Sequence, residues 1–116
     1  MRGGAGRGTE QLASGVIDLL VLRVLADGES YGYAIAQTLS THGLTDVSEA
    51  TVYTSVKRLE AQGFLTSHRA VADNGRARRY YQLLPQGRAE MVARLDTWDA
   101  LAKVVTSVFA TGDGSA

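Results

Sequence analysis

The chain has 116 residues, 45% of them hydrophobic, with twelve basic against twelve acidic side chains and no cysteine, a size that suits one domain whose modest core gains from burial against a partner. Lack of cysteine excludes disulfides, thiolate nucleophiles and cysteine-based zinc sites, and His42 and His68 fall in different elements with no acidic residue at a ligand spacing, so neither metal nor cofactor is expected. No apolar run is long enough to span a bilayer and the basic opening lacks the apolar stretch of a secretory signal, so no membrane partner is expected and the expected location is the cytoplasm.

Residues 1–9 are rich in glycine and arginine with nothing to bury, which predicts a disordered basic arm. A first helix is expected over residues 10–26, ending at Asp27-Gly28. Its apolar residues, Leu12, Val16, Ile17, Leu19, Leu20, Val21, Leu22, Val24 and Leu25, go most of the way round the helix. One face is therefore expected to pack on its own domain and the other on a partner. Ser30 is placed to cap a second helix over residues 31–41, with Ile35 and Leu39 inward and His42-Gly43 ending it. Gly32, between Tyr31 and Tyr33, permits close approach of another backbone or of a phosphate.

Ser48 is the expected N-cap of a third helix, although Thr51 stands where a capping box has Glu or Gln. At 100° per residue Val52, Val56 and Leu59 share an inner side. Ala50, Thr51, Thr54, Lys57 and Arg58 share the outer side, with Tyr53 on the flank. Small and hydroxylic residues at the start let such a helix sink into a major groove, and the basic residues further along meet phosphate or guanine. Gln62-Gly63 breaks the helix; a strand over residues 65–72, the Asp73-Asn74-Gly75-Arg76 turn and a strand over residues 77–83 follow as a hairpin. Alternation points Tyr81 and Leu83 to the core, sets Arg79 near Glu60, and leaves Arg76 and Arg78 free for phosphate. Residues 57–88 hold seven basic and two acidic side chains, so a neutral molecule carries a strongly basic patch.

A last helix is expected over residues 85–110, opened by Pro85, with residues 111–116 as a disordered tail. Met91, Leu95, Trp98, Ala102, Val105 and Phe109 step by fours and threes, a heptad seam that suits a second copy of the chain. The fold class is mainly α with a small β-hairpin, a winged helix-turn-helix over residues 10–84 plus a long C-terminal dimerisation helix. Ser48, Ala50, Thr51, Tyr53, Thr54, Lys57, Arg58, Arg76 and Arg78, with Tyr33, are the candidate contacts to double-stranded DNA. Leu12, Val16 and Leu19, with the six seam residues, are the candidate dimer interface.

Tyr31-Gly32-Tyr33-Ala34-Ile35, Ser48-Glu49-Ala50-Thr51-Val52-Tyr53, Lys57-Arg58-Leu59-Glu60 with Gly63, and Arg79-Tyr80-Tyr81 with Gly87 resemble the PadR family of bacterial transcriptional regulators, in order and spacing, from about Leu12 to Phe109. The single C-terminal helix resembles the short subfamily of multidrug-sensing repressors. Leu84-Pro85 departs from the family's usual threonine cap and implies a looser start to the last helix. The resemblance implies a homodimeric repressor of inverted-repeat operators, released by a small aromatic effector. It places Trp98 at the symmetry axis, with Val16, Leu95 and Lys103 lining the cavity. Ala102 stands where drug-binding members can carry an acidic residue.

Trp98 reads two ways, as filling of the interface or as a flat face on which a planar ligand stacks. A winged helix that docks an acidic protein, or a small-molecule carrier built around Trp98, are the alternatives without DNA readout. Tyr53, His68 and Glu60 do not assemble an enzyme, since no nucleophile, metal or phosphate loop accompanies them.

Overall fold

A computed structural model of the chain describes residues 14–115. The expected basic arm, the first residues of the first helix with Leu12, and residue 116 lie outside that range. Six elements follow in order: α1 (Ser14–Ala26), α2 (Gly32–Thr41), α3 (Glu49–Ala61), β1 (Leu65–Val71), β2 (Ala77–Leu83) and α4 (Pro85–Ser115). Among the described residues no helix is long and apolar enough to cross a membrane.

The first three helices enclose one core. Ile17, Val21, Leu22 and Leu25 of α1 meet Ile35 and Leu39 of α2 and Val52, Val56 and Leu59 of α3, and Val47, Leu65 and Tyr81 close it from the loop and the hairpin. The i, i+4, i+7 spacing on α3 is what a single buried helical stripe requires. On α1 the apolar girdle is mostly absorbed by the chain itself, because Val16, Leu20 and Val24 also pack against this cluster.

Helix boundaries follow local chemistry at most ends. The Ser48 hydroxyl accepts the Thr51 N–H at 3.1 Å, an N-cap that also contacts the Thr51 hydroxyl at 3.0 Å. Gly28, at φ 146°, turns the chain after α1. Ser30 does not cap α2. Tyr31 occupies the N-cap without a side-chain bond, while Ser30 exchanges backbone hydrogen bonds with Tyr81, a bridge that ties the α1–α2 loop to the hairpin. A backbone pair outside the helix competes for the same residue, and the capping rule loses.

The two strands pair antiparallel from Leu65↔Leu83 to Val71↔Ala77. At the tip the Ala72 N–H donates to the Arg76 carbonyl and the Gly75 N–H to the Ala72 carbonyl, each at 2.8 Å, with Gly75 at φ 84°. Asn74 keeps negative φ, so the loop has three residues, a turn closed by a left-handed glycine, in place of the mirror-image two-residue turn that Asn-Gly favours.

The start of α4 is anchored, in contrast to the looseness the Leu84-Pro85 departure implies. The Leu84 N–H donates to the Phe64 carbonyl and the Arg88 N–H to the Leu84 carbonyl, both at 3.0 Å. Gly87 is buried there against the Phe64 carbonyl and the Leu83 side chain, where an added methyl has no room. The last helix, α4, extends through Ser115, past its expected end at residue 110. Beyond Met91, which packs on the core, the helix runs out into solvent. Trp98 is 44% and Phe109 73% exposed, and Leu95, Leu101, Val104 and Val105 are likewise uncovered.

Candidate nucleic-acid interface

Three elements converge on a groove of about 530 Å³. The first turn of α2 supplies Tyr31, Gly32 and Tyr33, α3 supplies Glu49, Tyr53, Val56 and Lys57, and the hairpin supplies Arg76, Ala77, Arg78, Arg79 and Tyr81. Tyr33 and Tyr53 stand 52% and 55% exposed at its edge. The Tyr33 hydroxyl accepts from Gln37 Nε2 at 2.6 Å, and Lys57 Nζ lies 5.8 Å from the centre of the Tyr53 ring. Phenolic hydroxyls, an ammonium and guanidinium groups along one concave strip can bind a phosphate chain in register. The carboxylate lining it, Glu49, sits at the beginning of α3, where the helix dipole favours negative charge.

Ser48, Ala50, Tyr53, Thr54 and Lys57 are exposed on the outer side of α3, and Thr51 is half-buried. The Thr54 hydroxyl is turned back onto the Ala50 carbonyl at 3.2 Å. Arg58 requires a correction. Its Nε and Nη2 reach Asp18 on α1 at 2.8 and 2.7 Å, and the Ser55 hydroxyl donates to the same carboxylate at 2.6 Å. Asp18 is only 5% exposed, and a buried carboxylate needs such partners. The hydrogen bonds to Asp18 hold the Arg58 guanidinium above its ordinary pKa, against the opposing effect of burial. Arg58 is thus an anchor between α1 and α3 and does not stand beside Lys57 as a free reader.

Arg78, expected to be free, lies with its guanidinium carbon 4.3 Å from the centre of the Tyr31 ring. Arg79 does not reach Glu60 directly. Its Nη1 donates to the Ser67 hydroxyl at 3.0 Å, and Ser67 donates to Glu60 at 2.6 Å. Arg79 lines the groove and faces Arg69 directly across the ladder, a like-charge pairing that disfavours the isolated hairpin and suits one that meets an anion. Sequence reasoning missed both Arg79 and Tyr31 as members of this surface. Arg76 projects from the exposed tip, its backbone N–H held by Asn74 at 3.0 Å.

On the opposite face of the hairpin His68 stacks on Tyr80 at 5.9 Å, and its Nε2 lies 3.0 Å from Glu29. The hydrogen bond to Glu29 raises the His68 pKa above 6.5, with partial desolvation opposing. A raised folded-state value means the contribution to stability is complete below about pH 6.5 and is lost as pH climbs through the folded value. A proton NMR titration is expected to place the His68 midpoint above 6.5, and Glu29→Gln is expected to lower it; a midpoint that Glu29→Gln leaves unchanged would rule the interaction out.

Val16, Leu95, Trp98 and Lys103, expected around an effector, do not enclose a cavity within one chain. Val16 is half-buried against the core, whereas Leu95, Trp98 and Lys103 are exposed along α4. Leu19 is half-buried, and of the seam residues Met91 and Ala102 are half-buried while Val105 and Phe109 are exposed.

Compared with known families, residues 21–93 match the transcriptional regulator PadR-like family. The chain is 42% identical over 89 residues to transcriptional regulator Rv3488 of Mycobacterium tuberculosis, which spans 77% of this chain and 81% of that protein. A transcriptional regulator from Clostridium thermocellum superposes with a TM-score of 0.73 at 28% identity, covering 84% of this chain and 93% of its own. Bacillus subtilis PadR, solved in complex with operator DNA, shares the fold at a TM-score of 0.63 and 23% identity over 69% of this chain and 46% of its own.

Proposed function

Because this chain belongs to the PadR-like family of transcriptional regulators, we propose that it binds operator DNA as a homodimer, with α3 in the major groove and the hairpin on the adjacent backbone. The observation that carries this reading is the single groove on which Tyr33, Tyr53, Lys57, Arg76 and Arg78 converge. The complex of Bacillus subtilis PadR with operator DNA supports it. Double-stranded DNA carrying an inverted repeat is the partner, and the cytoplasm is where it is met.

In this reading the apolar strip of α4 pairs with that of a second copy, together with Val16 and Leu19 of α1. Two α3 helices then face successive major grooves about 34 Å apart. A small aromatic effector stacks on Trp98 at the dimer axis, between Leu95, Lys103 and Val16, and lowers operator affinity, so that the protein acts as a ligand-released repressor. The exposure of Trp98 in a single chain supports this, since an indole on a helix face needs a cover.

Selection of bound genomic fragments from the host is expected to return a shared inverted repeat. On that DNA, Lys57→Ala and Arg76→Ala are each expected to flatten the dependence of log affinity on log salt by about 1.8, because each removes one phosphate-binding cation per protomer. An unchanged salt slope in both variants would overturn the assignment of the groove. Recovery of no common sequence would overturn the reading as a whole.

A further inference from the structure

A continuous column of flat groups starts at the groove with Arg78 and Tyr31 and runs along the outer face of the hairpin. The Arg78 guanidinium lies over Tyr31 at 4.3 Å, Tyr31 meets the Tyr80 ring at 5.3 Å and 65°, Tyr80 stacks on His68 at 5.9 Å and 19°, and His68 bonds to Glu29 at 3.0 Å. His68 and Tyr80 are cross-strand partners, whereas Tyr31 and Glu29 flank Ser30, whose backbone is bonded to Tyr81. The column therefore joins the hairpin to the α1–α2 loop by side chains in addition to one backbone bridge.

We propose that Tyr31 is a positioning residue that holds Arg78 in a phosphate-ready orientation before DNA arrives, a role that rests on the reading of the hairpin as a DNA-binding wing. A guanidinium that lies on a ring has its face covered and its N–H edge outward, and that edge is the part that grips a phosphate with two parallel bonds. Arg78 lines the groove toward α3 and also a shallower hollow of about 450 Å³ on the other side, formed with Tyr31, Tyr80 and the Val71–Asn74 end of the hairpin. It thus stands between the two hollows, at the edge of the groove. An arginine free in solvent loses rotamer freedom when it binds. Contact with Tyr31 restricts that freedom for Arg78 beforehand.

The test uses the full chain, DNA recovered with it, and four variants: Tyr31→Phe, Tyr31→Leu, Arg78→Ala and Tyr31→Leu combined with Arg78→Ala. Phenylalanine keeps the ring face; leucine keeps apolar bulk at the start of α2 and removes the face. Fluorescence anisotropy is expected to show Tyr31→Leu binding roughly two- to thirtyfold more weakly than Tyr31→Phe, the range of a cation–π contact, and the double variant no weaker than Arg78→Ala alone. In the DNA-free protein the Arg78 side-chain protons are expected to be shifted upfield by the ring, and Tyr31→Leu to abolish that shift. Losses that multiply in the double variant, or Tyr31→Leu binding as tightly as Tyr31→Phe, overturn the proposal while the DNA-binding reading stands. Absence of the upfield shift overturns it without reference to DNA, and failure of the unmodified protein to bind any DNA overturns the broader reading.

Discussion

Replacing Asp18 with alanine is expected to remove about 3 kcal/mol of folding stability, measured by urea unfolding at one fixed protein concentration. The carboxylate is the shared acceptor of the Arg58 fork and of the fully buried Ser55 hydroxyl. Its loss strands that hydroxyl, at about 1 to 3 kcal/mol, and leaves a guanidinium that is 38% exposed to turn partly toward water. Arg58→Met is expected to cost at least as much, since it leaves the carboxylate buried with one neutral donor. Combining Asp18→Leu with Arg58→Met is expected to recover the part of the loss that comes from an unpaired charge, because apolar groups of similar volume replace a buried ion pair at little net cost, while the Ser55 hydroxyl stays without its acceptor. Single losses below about 0.5 kcal/mol that simply add in the double variant would show the pair to be decorative.

The second large effect concerns assembly. Leu95→Glu is expected to leave the fold of one chain intact, because Leu95 is already 47% exposed there, and to convert the proposed dimer to monomer in sedimentation analysis at micromolar concentration. Operator affinity is then expected to fall by about 10² to 10⁴, the gain that a second linked half-site ordinarily provides. The variant should retain its far-ultraviolet circular dichroism. If it sediments and binds as the unmodified protein does, the α4 seam is not where copies meet.

Much of this architecture is legible in the residues because the deciding interactions are short-range. Ser48 caps from three residues away, Gly28 and Gly75 turn the chain on their own backbone freedom, and the Val52, Val56, Leu59 stripe needs only helical periodicity. Where reading along the chain fails, the partner is distant. Ser30 is claimed by Tyr81, Arg58 by a residue forty positions earlier, and Arg78 by a ring on another element. Asp18 did carry a signal, being a lone carboxylate within the otherwise apolar Val16–Leu22 stretch. A charge there must find a counterpart or leave the core, and the basic residue on the inner flank of α3 is the one within reach.

The Asp18 carboxylate also determines how motion passes through the molecule. Apolar helices packed side by side can slip by a fraction of a turn while exchanging one set of neighbours for another. A forked arginine with a third bond from serine resists such slip, so α1 and α3 are tied to each other at this point. A push on α1 from a neighbouring helix would thus be felt in the segment beneath Tyr53 and Lys57.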